Sequence, residues 1–343
     1  MTMSLIGENM KKNNYFIVGA GFACLDIIRI QGVNSVMLGG TAANVMTFLS
    51  LMGWNAQFMM AEYHGQAGKF MSDAFLRREV ECVYYTQTKN QIPKIVEGIE
   101  DTKHFFVTIC PKCGRNLVKS NLPTLKQLTK IKRDSKSPNV FFFDRLSEGI
   151  REYARENKNG WNFYEPNSCR IYSNLIAGIK EANIVKYSEE RISEKVTCNI
   201  LQEIQKSDVM LLIVTMGDSG IKYIYRTETG VLSDWNYISV KPVDKVIDSS
   251  GSGDWLTAIF LYLLLKKYPS YTMQLDPKYI DACLRKAQKY ASRNCAFVGA
   301  QGMLKEQEFI DTINEELDVE MKSISDPAMN WEYDCDYCYH EIK

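Results

Sequence analysis

Val246-Ile-Asp-Ser-Ser-Gly-Ser-Gly-Asp254 is the stretch of sequence that decides the predicted fold, because a mostly apolar run, residues 255–265, follows it directly. Glycines and small polar residues before such a run indicate a loop that leads into a buried helix. The first turn of a helix has N–H groups without intrahelical acceptors and the positive end of the helix dipole, and glycines let an anion approach these groups. The stretch therefore predicts an anion site.

Asp254 stands directly beside this predicted anion site. A carboxylate repels a bound phosphate, so its position favours a chemical role, in which it accepts a proton from a hydroxyl group that attacks the phosphate. The alternative is an acidic residue in the first helical turn that complements the helix dipole. This stretch alone does not decide between the two interpretations.

A second glycine pair, in Gly39-Gly40-Thr-Ala-Ala-Asn44, also precedes an apolar helix, which Gly53 ends. The two stretches resemble the two signatures of the ribokinase-like (PfkB-type) carbohydrate and nucleoside kinases. These signatures are G-G-x-x-x-N before a helix that ends in L-x-x-x-G, and D-[ST]-[ST]-G-[AS]-G-D. The resemblance covers roughly residues 14–303, and two long signatures in the right order are more specific than one glycine motif.

The resemblance implies an α/β fold with a mostly parallel sheet flanked by helices, a ribokinase-like Rossmann-type sandwich with a small β lid. The alternation of predicted strands and helices points the same way. It also implies an enzyme that transfers the γ-phosphoryl group of ATP to a hydroxymethyl group of a sugar or a nucleoside. In that reaction Asp254 is the base, the amides of Gly251, Ser252 and Gly253 stabilise the transferred group, and Mg²⁺ bridges the phosphates.

Further site residues follow from matching positions in the resembled family. The acceptor would be held by Asp26, Gly39, Gly40 and Asn44. Asp26 suits this role because one carboxylate accepts hydrogen bonds from two neighbouring hydroxyl groups. Nucleotide contacts are expected in a T-x-G-x-x-G segment and in a segment, Glu165-Pro-Asn-Ser-Cys-Arg170, that resembles D-x-N-x-R. These nucleotide-binding residues are Thr215, Gly217, Gly220 and Asn167. Gly299-Ala-Gln301 resembles the segment that closes around the adenine and a monovalent cation.

Two segments depart from the family pattern. Many members carry Gly-x-Asp-x-x-Gly after the strand at residues 56–61, whereas Tyr63-His-Gly-Gln-Ala-Gly68 keeps the last glycine and lacks the acid. The family's Asn-x-x-Glu, whose acid helps to hold the metal through water, reads Ser188-Glu-Glu-Arg191 here, so Glu189 or, by preference, Glu190 is the candidate Mg²⁺ ligand. These departures support an alternative function: a catalytically weakened protein that senses a sugar, nucleoside or nucleotide.

Residues 1–320 are predicted to form the kinase domain, with the lid built from about residues 22–38 and 80–120. Short strands alternate there like β-hairpins, at residues 82–85, 94–97, 104–109 and 115–118. Closing such a lid excludes water, which competes for the phosphoryl group. We also expect the lid to be the contact of any homodimer.

Two C-x2-C pairs predict a zinc site that kinases of the resembled family do not generally carry. Cys110-Pro-Lys-Cys113-Gly114 lies in the lid region, and Cys335-Asp-Tyr-Cys338 lies in a C-terminal tail, residues 321–343. Four thiolates complete the tetrahedral set of structural zinc, so we expect the metal to tether the tail to the lid. A redox pair is the alternative for one pair alone, and His340 is an alternative ligand. Six cysteines lack this spacing and are taken as small buried side chains: Cys24, Cys82, Cys169, Cys198, Cys283 and Cys295.

Composition limits the remaining function classes. The 343 residues include 41 Lys+Arg and 41 Asp+Glu, so the net charge is zero and no basic surface favours nucleic acid. Residues 1–14 lack the apolar core of a signal peptide, and no apolar run approaches the length of a membrane span. We therefore predict a cytoplasmic protein whose partners are small molecules.

Overall fold

The computed structural model describes residues 14–342 apart from 31–32, 88–90, 101–102, 132–136, 168–170, 241–242 and 244. Two residues from the sequence predictions, Cys169 and Arg170, lie outside these ranges. None of the helices within them combines the length and the hydrophobicity that crossing a bilayer requires.

A large, mainly parallel sheet forms the centre of the molecule. Within the described residues its nine strands are, in chain order, β1 (Phe16–Ala20), β4 (Asn55–Ala61), β5 (Val80–Tyr85), β8 (Val140–Phe143), β9 (Trp161–Tyr164), β10 (Ile184–Ser188), β11 (Leu211–Thr215), β12 (Ile221–Tyr225) and β13 (Asn236–Ile238). Their spatial order is β13-β12-β11-β10-β9-β8-β1-β4-β5. All neighbours from β11 to β5 pair in parallel, whereas β12 and β13 add an antiparallel edge. The mostly parallel sheet that the sequence predicted is confirmed.

Helices connect and cover these strands. They are α1 (Thr41–Leu51), α2 (Gly65–Arg77), α3 (Leu125–Ile131), α4 (Glu148–Glu156), α5 (Tyr172–Lys180), α6 (Glu194–Gln205), α7 (Ser252–Lys267), α8 (Pro277–Asn294) and α9 (Gln307–Leu317). The predicted buried helix is α7, which is apolar on all sides and packs against α1 and α8. Trp255 of α7 stacks on Phe48 of α1 with ring centroids 3.9 Å apart. This contact sets the two predicted glycine loops side by side, because each loop precedes one of the two helices.

The smaller sheet corresponds to the predicted lid. Its four strands have the order β3 (Val33–Gly39), β2 (Cys24–Ile30), β6 (Lys94–Glu100) and β7 (Lys103–Val107). The prediction that residues 82–85 belong to it is wrong: they lie in β5, which pairs in parallel with β4 of the large sheet. The physical reason is that α2 connects β4 and β5 as a βαβ crossover, which returns the chain to the same sheet. Residues 115–118 form no strand, and Asn116 makes an isolated bridge with Ile109.

The C-terminal tail follows α9 and runs without regular structure over residues 319–332. It ends in a short hairpin of β14 (Tyr333–Cys335) and β15 (His340–Glu341). The tail lies against one face of the small sheet, where Arg29 of β2 donates to the Asp336 carbonyl and lies over the ring of Tyr337. Asp26 and Ile28 alternate with Arg29 along β2 and therefore face the opposite side. The small sheet thus separates the terminal hairpin of the tail from Asp26.

Five of the six cysteines without paired spacing lie in the described part of the chain, and they differ in exposure. Cys24 and Cys283 are buried and Cys82 and Cys295 are half-buried, whereas Cys198 is exposed on α6. The prediction of a buried side chain is therefore wrong for Cys198, because α6 is amphipathic and this position falls on its solvent side.

Candidate active site

Asp254 lies in the first turn of α7, whose N-cap residue, Gly251, has the left-handed conformation with φ 71°. Its Oδ2 accepts a hydrogen bond of 2.7 Å from Nδ2 of Asn44 on α1, and both side chains are buried. Burial raises the pKa of Asp254 to about 7; the charge of Glu165 adds to this effect and the hydrogen bond from Asn44 opposes it. A carboxylate with such a pKa can accept a proton at neutral pH.

Asp26 lies against Gly39 across the β2–β3 pairing. A Cβ atom on Gly39 would lie 1.8 Å from Oδ2 of Asp26, so a residue other than glycine would displace the carboxylate. Burial raises the pKa of Asp26 to about 7, with the Cys24 hydrogen bond opposing it and the charge of Asp248 adding to it. Gly40 follows directly and precedes α1, which carries Asn44. The predicted acceptor residues therefore form one group at the N-terminus of α1.

Two buried acids that the sequence analysis did not single out lie close to Asp26. Glu97 of β6 accepts a hydrogen bond of 2.9 Å from Ser250, and burial, with the charges of Asp26 and Asp248, raises the pKa of Glu97 to about 9. Asp248 accepts a bond of 2.7 Å from the Gly299 amide. Glu97 carries no sequence signal, because a single acid in a predicted strand more often faces solvent.

Lys186 and Glu165 form a buried ion pair beside the N-terminus of α7. Nζ of Lys186 also donates to the Gly253 carbonyl at 3.0 Å, and Thr257 donates to Oε2 of Glu165 at 2.8 Å. The pair thus places a cation next to the predicted anion site. The sequence analysis did not single out Lys186, although a lysine inside the apolar β10 strand was an available signal.

The predicted nucleotide residues lie at the carboxyl ends of β9 and β11, the two strands that flank β10. Thr215 is the last residue of β11, and Gly217 and Gly220 follow in a turn with φ 58° and 101°. Asn167 follows β9 and accepts a bond of 2.7 Å from Arg191. The C-terminal edge of a parallel sheet, where helices begin, is the usual position of a nucleotide site.

Asn167 also joins the nucleotide side to the acceptor side. Its Nδ2 donates to Asp144 at 3.1 Å, and Asp144 accepts a bond of 2.8 Å from the Phe22 amide, just before β2. Burial raises the pKa of Asp144 to about 6, although the charge of Arg145 opposes this shift. The sequence analysis did not single out Asp144.

Of the two candidate magnesium ligands, Glu190 fits the role better. Glu189 forms an ion pair with Lys222. Glu190 is exposed, and its Oε1 lies 3.3 Å from the position of a Cβ atom on Gly217, at the mouth of the Thr215 turn. An exposed carboxylate there can hold a hydrated Mg²⁺ ion through water.

The four predicted zinc ligands converge. The sulfur atoms of Cys110, Cys113, Cys335 and Cys338 all lie within 4.8 Å of one another, and this group does not include His340. The Cys110–Cys335 and Cys113–Cys338 sulfur distances are both 3.7 Å. Zn–S bonds of about 2.3 Å in a tetrahedron require sulfur atoms about 3.8 Å apart, so the group has the dimensions of a zinc site.

The two cysteine pairs have the same backbone turn. The Gly114 amide donates to the Cys110 carbonyl at 2.9 Å, and the Tyr339 amide donates to the Cys335 carbonyl at 2.8 Å. The residue after each second cysteine has positive φ, 69° at Gly114 and 45° at Tyr339. The sequence signal was clear at Cys110–Gly114 and weaker at the tail pair, where tyrosine replaces the glycine.

The tail also supplies an acid at the turn that lacks the family's aspartate. Glu341 of β15 accepts bonds from the amides of Gln66, at 2.7 Å, and Ala67, at 3.2 Å, at the start of α2. A carboxylate there satisfies helix N–H groups and complements the dipole. The acid is about 275 residues away in sequence, so no local motif could have predicted it.

Comparison with solved structures identifies the fold. A fructokinase with bound ATP from Xylella fastidiosa superposes with a TM-score of 0.69 and 17% identity, covering 88% of this chain and 98% of that one. The fold is that of the ribokinase-like kinases. Aminoimidazole riboside kinase from Salmonella enterica (TM-score 0.62, 16% identity, 88% and 99% covered) and ribokinase from Giardia lamblia (0.62, 12%, 84% and 96%) agree. No protein-family model and no curated protein sequence matches the chain.

Proposed function

We propose that the protein is an ATP-dependent kinase that phosphorylates a hydroxymethyl group of a sugar or a nucleoside. The observation that carries the proposal is the hydrogen bond between Asn44 and Asp254. It joins Asn44, one of the residues predicted to bind the acceptor, to the carboxylate in the first turn of α7. The acceptor hydroxyl, the base and the helix N-terminus can therefore meet at one point. The ribokinase-like neighbours, which are sugar and nucleoside kinases by description, support the same reaction class.

The acceptor is held first. In our proposal Asp26 receives hydrogen bonds from two hydroxyl groups of the acceptor, while Asn44 and the backbone at Gly39 and Gly40 fix its position. Asp254 then removes the proton of the attacking hydroxyl group as its oxygen bonds to the γ-phosphorus of ATP. The bond from that phosphorus to the β–γ bridging oxygen breaks at the same time, and ADP is the leaving group. The pKa of Asp254, about 7, suits its task as the base. Near neutral pH a large fraction of the molecules carry Asp254 as a carboxylate, and that carboxylate is still basic enough to accept a proton.

The phosphoryl group is stabilised from the other side. The amides of residues 251–253 at the start of α7 would donate hydrogen bonds to its oxygens, and Lys186 beside Gly253 would add positive charge. Thr215, Gly217, Gly220 and Asn167 would contact the remaining phosphates. Mg²⁺, held through water by Glu190, would neutralise phosphate charge. We propose the cytoplasm as the compartment, since it supplies ATP and keeps the cysteine thiols reduced.

A second candidate function is a sensor that binds the ligand without phosphorylating it. The missing aspartate near Gly65 favours this alternative, but Glu341 supplies a carboxylate to the same helix start. A homodimer through the small sheet remains a prediction; the exposed side chains of Phe106 and Ile109 there are consistent with such a contact.

The test is a screen of pentoses, hexoses and nucleosides with ATP and Mg²⁺. Thermal shift reports binding, because a ligand that binds only the folded state raises its stability. Phosphorylated product, detected by mass spectrometry, reports transfer. We expect at least one acceptor to do both. An acceptor that shifts the melting temperature without yielding product would support the sensor, and no shift with any sugar or nucleoside would refute both candidates.

A further inference from the structure

Asp254 is the end of a buried chain of hydrogen bonds that begins in the C-terminal tail. Asp326 of the tail pairs with both terminal nitrogens of Arg78, at 2.8 and 2.9 Å. Nε of Arg78 donates to Oε1 of Gln301 at 2.9 Å, and Nε2 of Gln301 donates to Oδ1 of Asn44 at 2.8 Å. Asn44 then donates to Asp254. We call these five side chains the relay.

The relay has a fixed direction. A guanidinium group only donates hydrogen bonds, so Gln301 must turn its oxygen toward Arg78 and its NH₂ group toward Asn44. Asn44 therefore turns its oxygen toward Gln301 and presents its NH₂ group to Asp254. Were Asn44 to present its oxygen instead, two acceptors would face each other. Nε2 of Gln301 also donates to the Leu38 carbonyl at 2.9 Å, which fixes the same orientation. Arg78 and this carbonyl together determine that Asp254 meets a donor, which stabilises the ionised form.

Asp326 holds Arg78 in this arrangement. Arg78 is 2% exposed, and a guanidinium buried to this degree needs a partner of opposite charge. Burial acts to raise the pKa of Asp326, but hydrogen bonds and charge from Arg78, with Arg77, outweigh it and lower that pKa, so Asp326 stays ionised. Asp326 also accepts a bond from the Leu38 amide, next to the Gly39–Gly40 pair. The tail residue therefore contacts both the relay and the acceptor strand.

We infer that Arg78, Gln301 and Asp326 are positioning residues for the proposed base, acting through Asn44, and that the tail is thereby part of the active site. The inference rests on the proposed function, because it assigns these residues a role in that reaction. Other charged groups also face Asp254: Glu165 raises its pKa, and Lys186 and Arg191 lower it. The relay differs from these charged groups because it links Asp254 to a residue of the C-terminal tail.

Gln301→Glu is the sharpest test of the relay. An ionised carboxylate there still accepts from Arg78 but cannot donate to Asn44, so the Asn44 amide turns over and faces Asp254 with its oxygen. The acidic limb of the kcat–pH profile should move up by about 1–2 pH units, the worth of one hydrogen bond to a charged group, and kcat at pH 7 should fall about 5- to 50-fold. ATP affinity, measured by thermal shift, should stay unchanged.

Two further variants separate positioning from folding. Asp326→Asn should shift the profile in the same direction, and Asp326→Glu should largely restore it because the charge returns. Asp73→Asn is the matched control, since Asp73 forms an exposed ion pair with Lys69 on α2, the helix that immediately precedes Arg78. An active wild type with unchanged profiles in Gln301→Glu and Asp326→Asn would overturn the inference. A wild type without phosphoryl transfer would instead overturn the proposed function.

Discussion

Removing one zinc ligand should release the end of the tail while leaving the rest of the fold intact. The substitution is Cys335→Ser, at a buried position whose sulfur lies 3.7 Å from that of Cys110. Three thiolates remain, and a structural zinc site needs four ligands. We therefore expect about one zinc per chain in the wild type and markedly less in the variant.

The exposed ion pairs of this segment are too weak to keep it ordered without the metal. Ordering a residue costs about 1–2 kcal/mol of backbone entropy, whereas an exposed ion pair, such as Lys112–Asp336 or Arg115–Asp334, contributes about 0–1 kcal/mol. Trp331 packs edge-on against Phe70 of α2, and its loss from the core removes about 2–3 kcal/mol. At roughly 2–4 °C per kcal/mol, the melting temperature should fall by about 4–12 °C.

Metal analysis and limited proteolysis measure these effects. New cleavage sites should map to residues 327–342 in Cys335→Ser and in chelator-treated wild type. Cys198→Ser is the matched control, because this cysteine is exposed on α6 and lies outside the cluster. This reasoning would be refuted if zinc-free wild type had a tail that is as resistant to protease as the tail of the zinc-loaded protein.

Three other outcomes follow from the site. Asp26→Ala should weaken acceptor binding by about 2–5 kcal/mol, because hydroxyl groups of the acceptor lose a charged partner. ATP binding, measured by calorimetry, should stay unchanged; equal weakening of both ligands would mean that Asp26 supports the fold instead. Glu341→Gln should lower stability by about 0.5–2 kcal/mol in urea unfolding, since α2 loses a charged cap, and no change would remove that role. The pKa values of Asp254 and Asp26 are raised to about 7 from 3.8, so the folded state binds more protons than the unfolded state between these values. Stability of the ligand-free protein should therefore fall as pH rises from about 4 to 7, and Asp254→Asn should flatten this slope; an identical slope in the variant would contradict the raised pKa.

The sequence predicted the parts of the fold that depend on local patterns. The glycine loops at residues 39–40 and 251–253 lead into buried helices in the structure, as predicted. Such a pattern is predictable because the start of a helix depends mainly on residues within about one turn of it. The strand β11 begins and ends where its apolar run predicts, at Leu211 and Thr215. The spacing within each cysteine pair predicted a local turn, and the need of structural zinc for four ligands predicted that the two pairs converge.

The sequence could not predict contacts between distant residues of ordinary type. Arg78 and Asp326 are 248 residues apart, and neither belongs to a motif. Glu341 at the start of α2 and Glu97 beside Asp26 are similar cases, because a single charged residue predicts a surface position until the fold is known. The error at residues 82–85 has another cause: alternating residues predict a strand but do not say which sheet it joins.

The most direct test of the proposed kinase is the rate of phosphoryl transfer by Asp254→Asn relative to wild type, with ATP binding measured on the same samples. The asparagine keeps the size of the side chain and can still hydrogen-bond to Asn44, so the variant should fold and bind ATP normally. Loss of a positioned base should lower kcat by about 10²- to 10⁴-fold with the best acceptor of the screen. An unchanged kcat in this variant would contradict the assignment of Asp254 as the base.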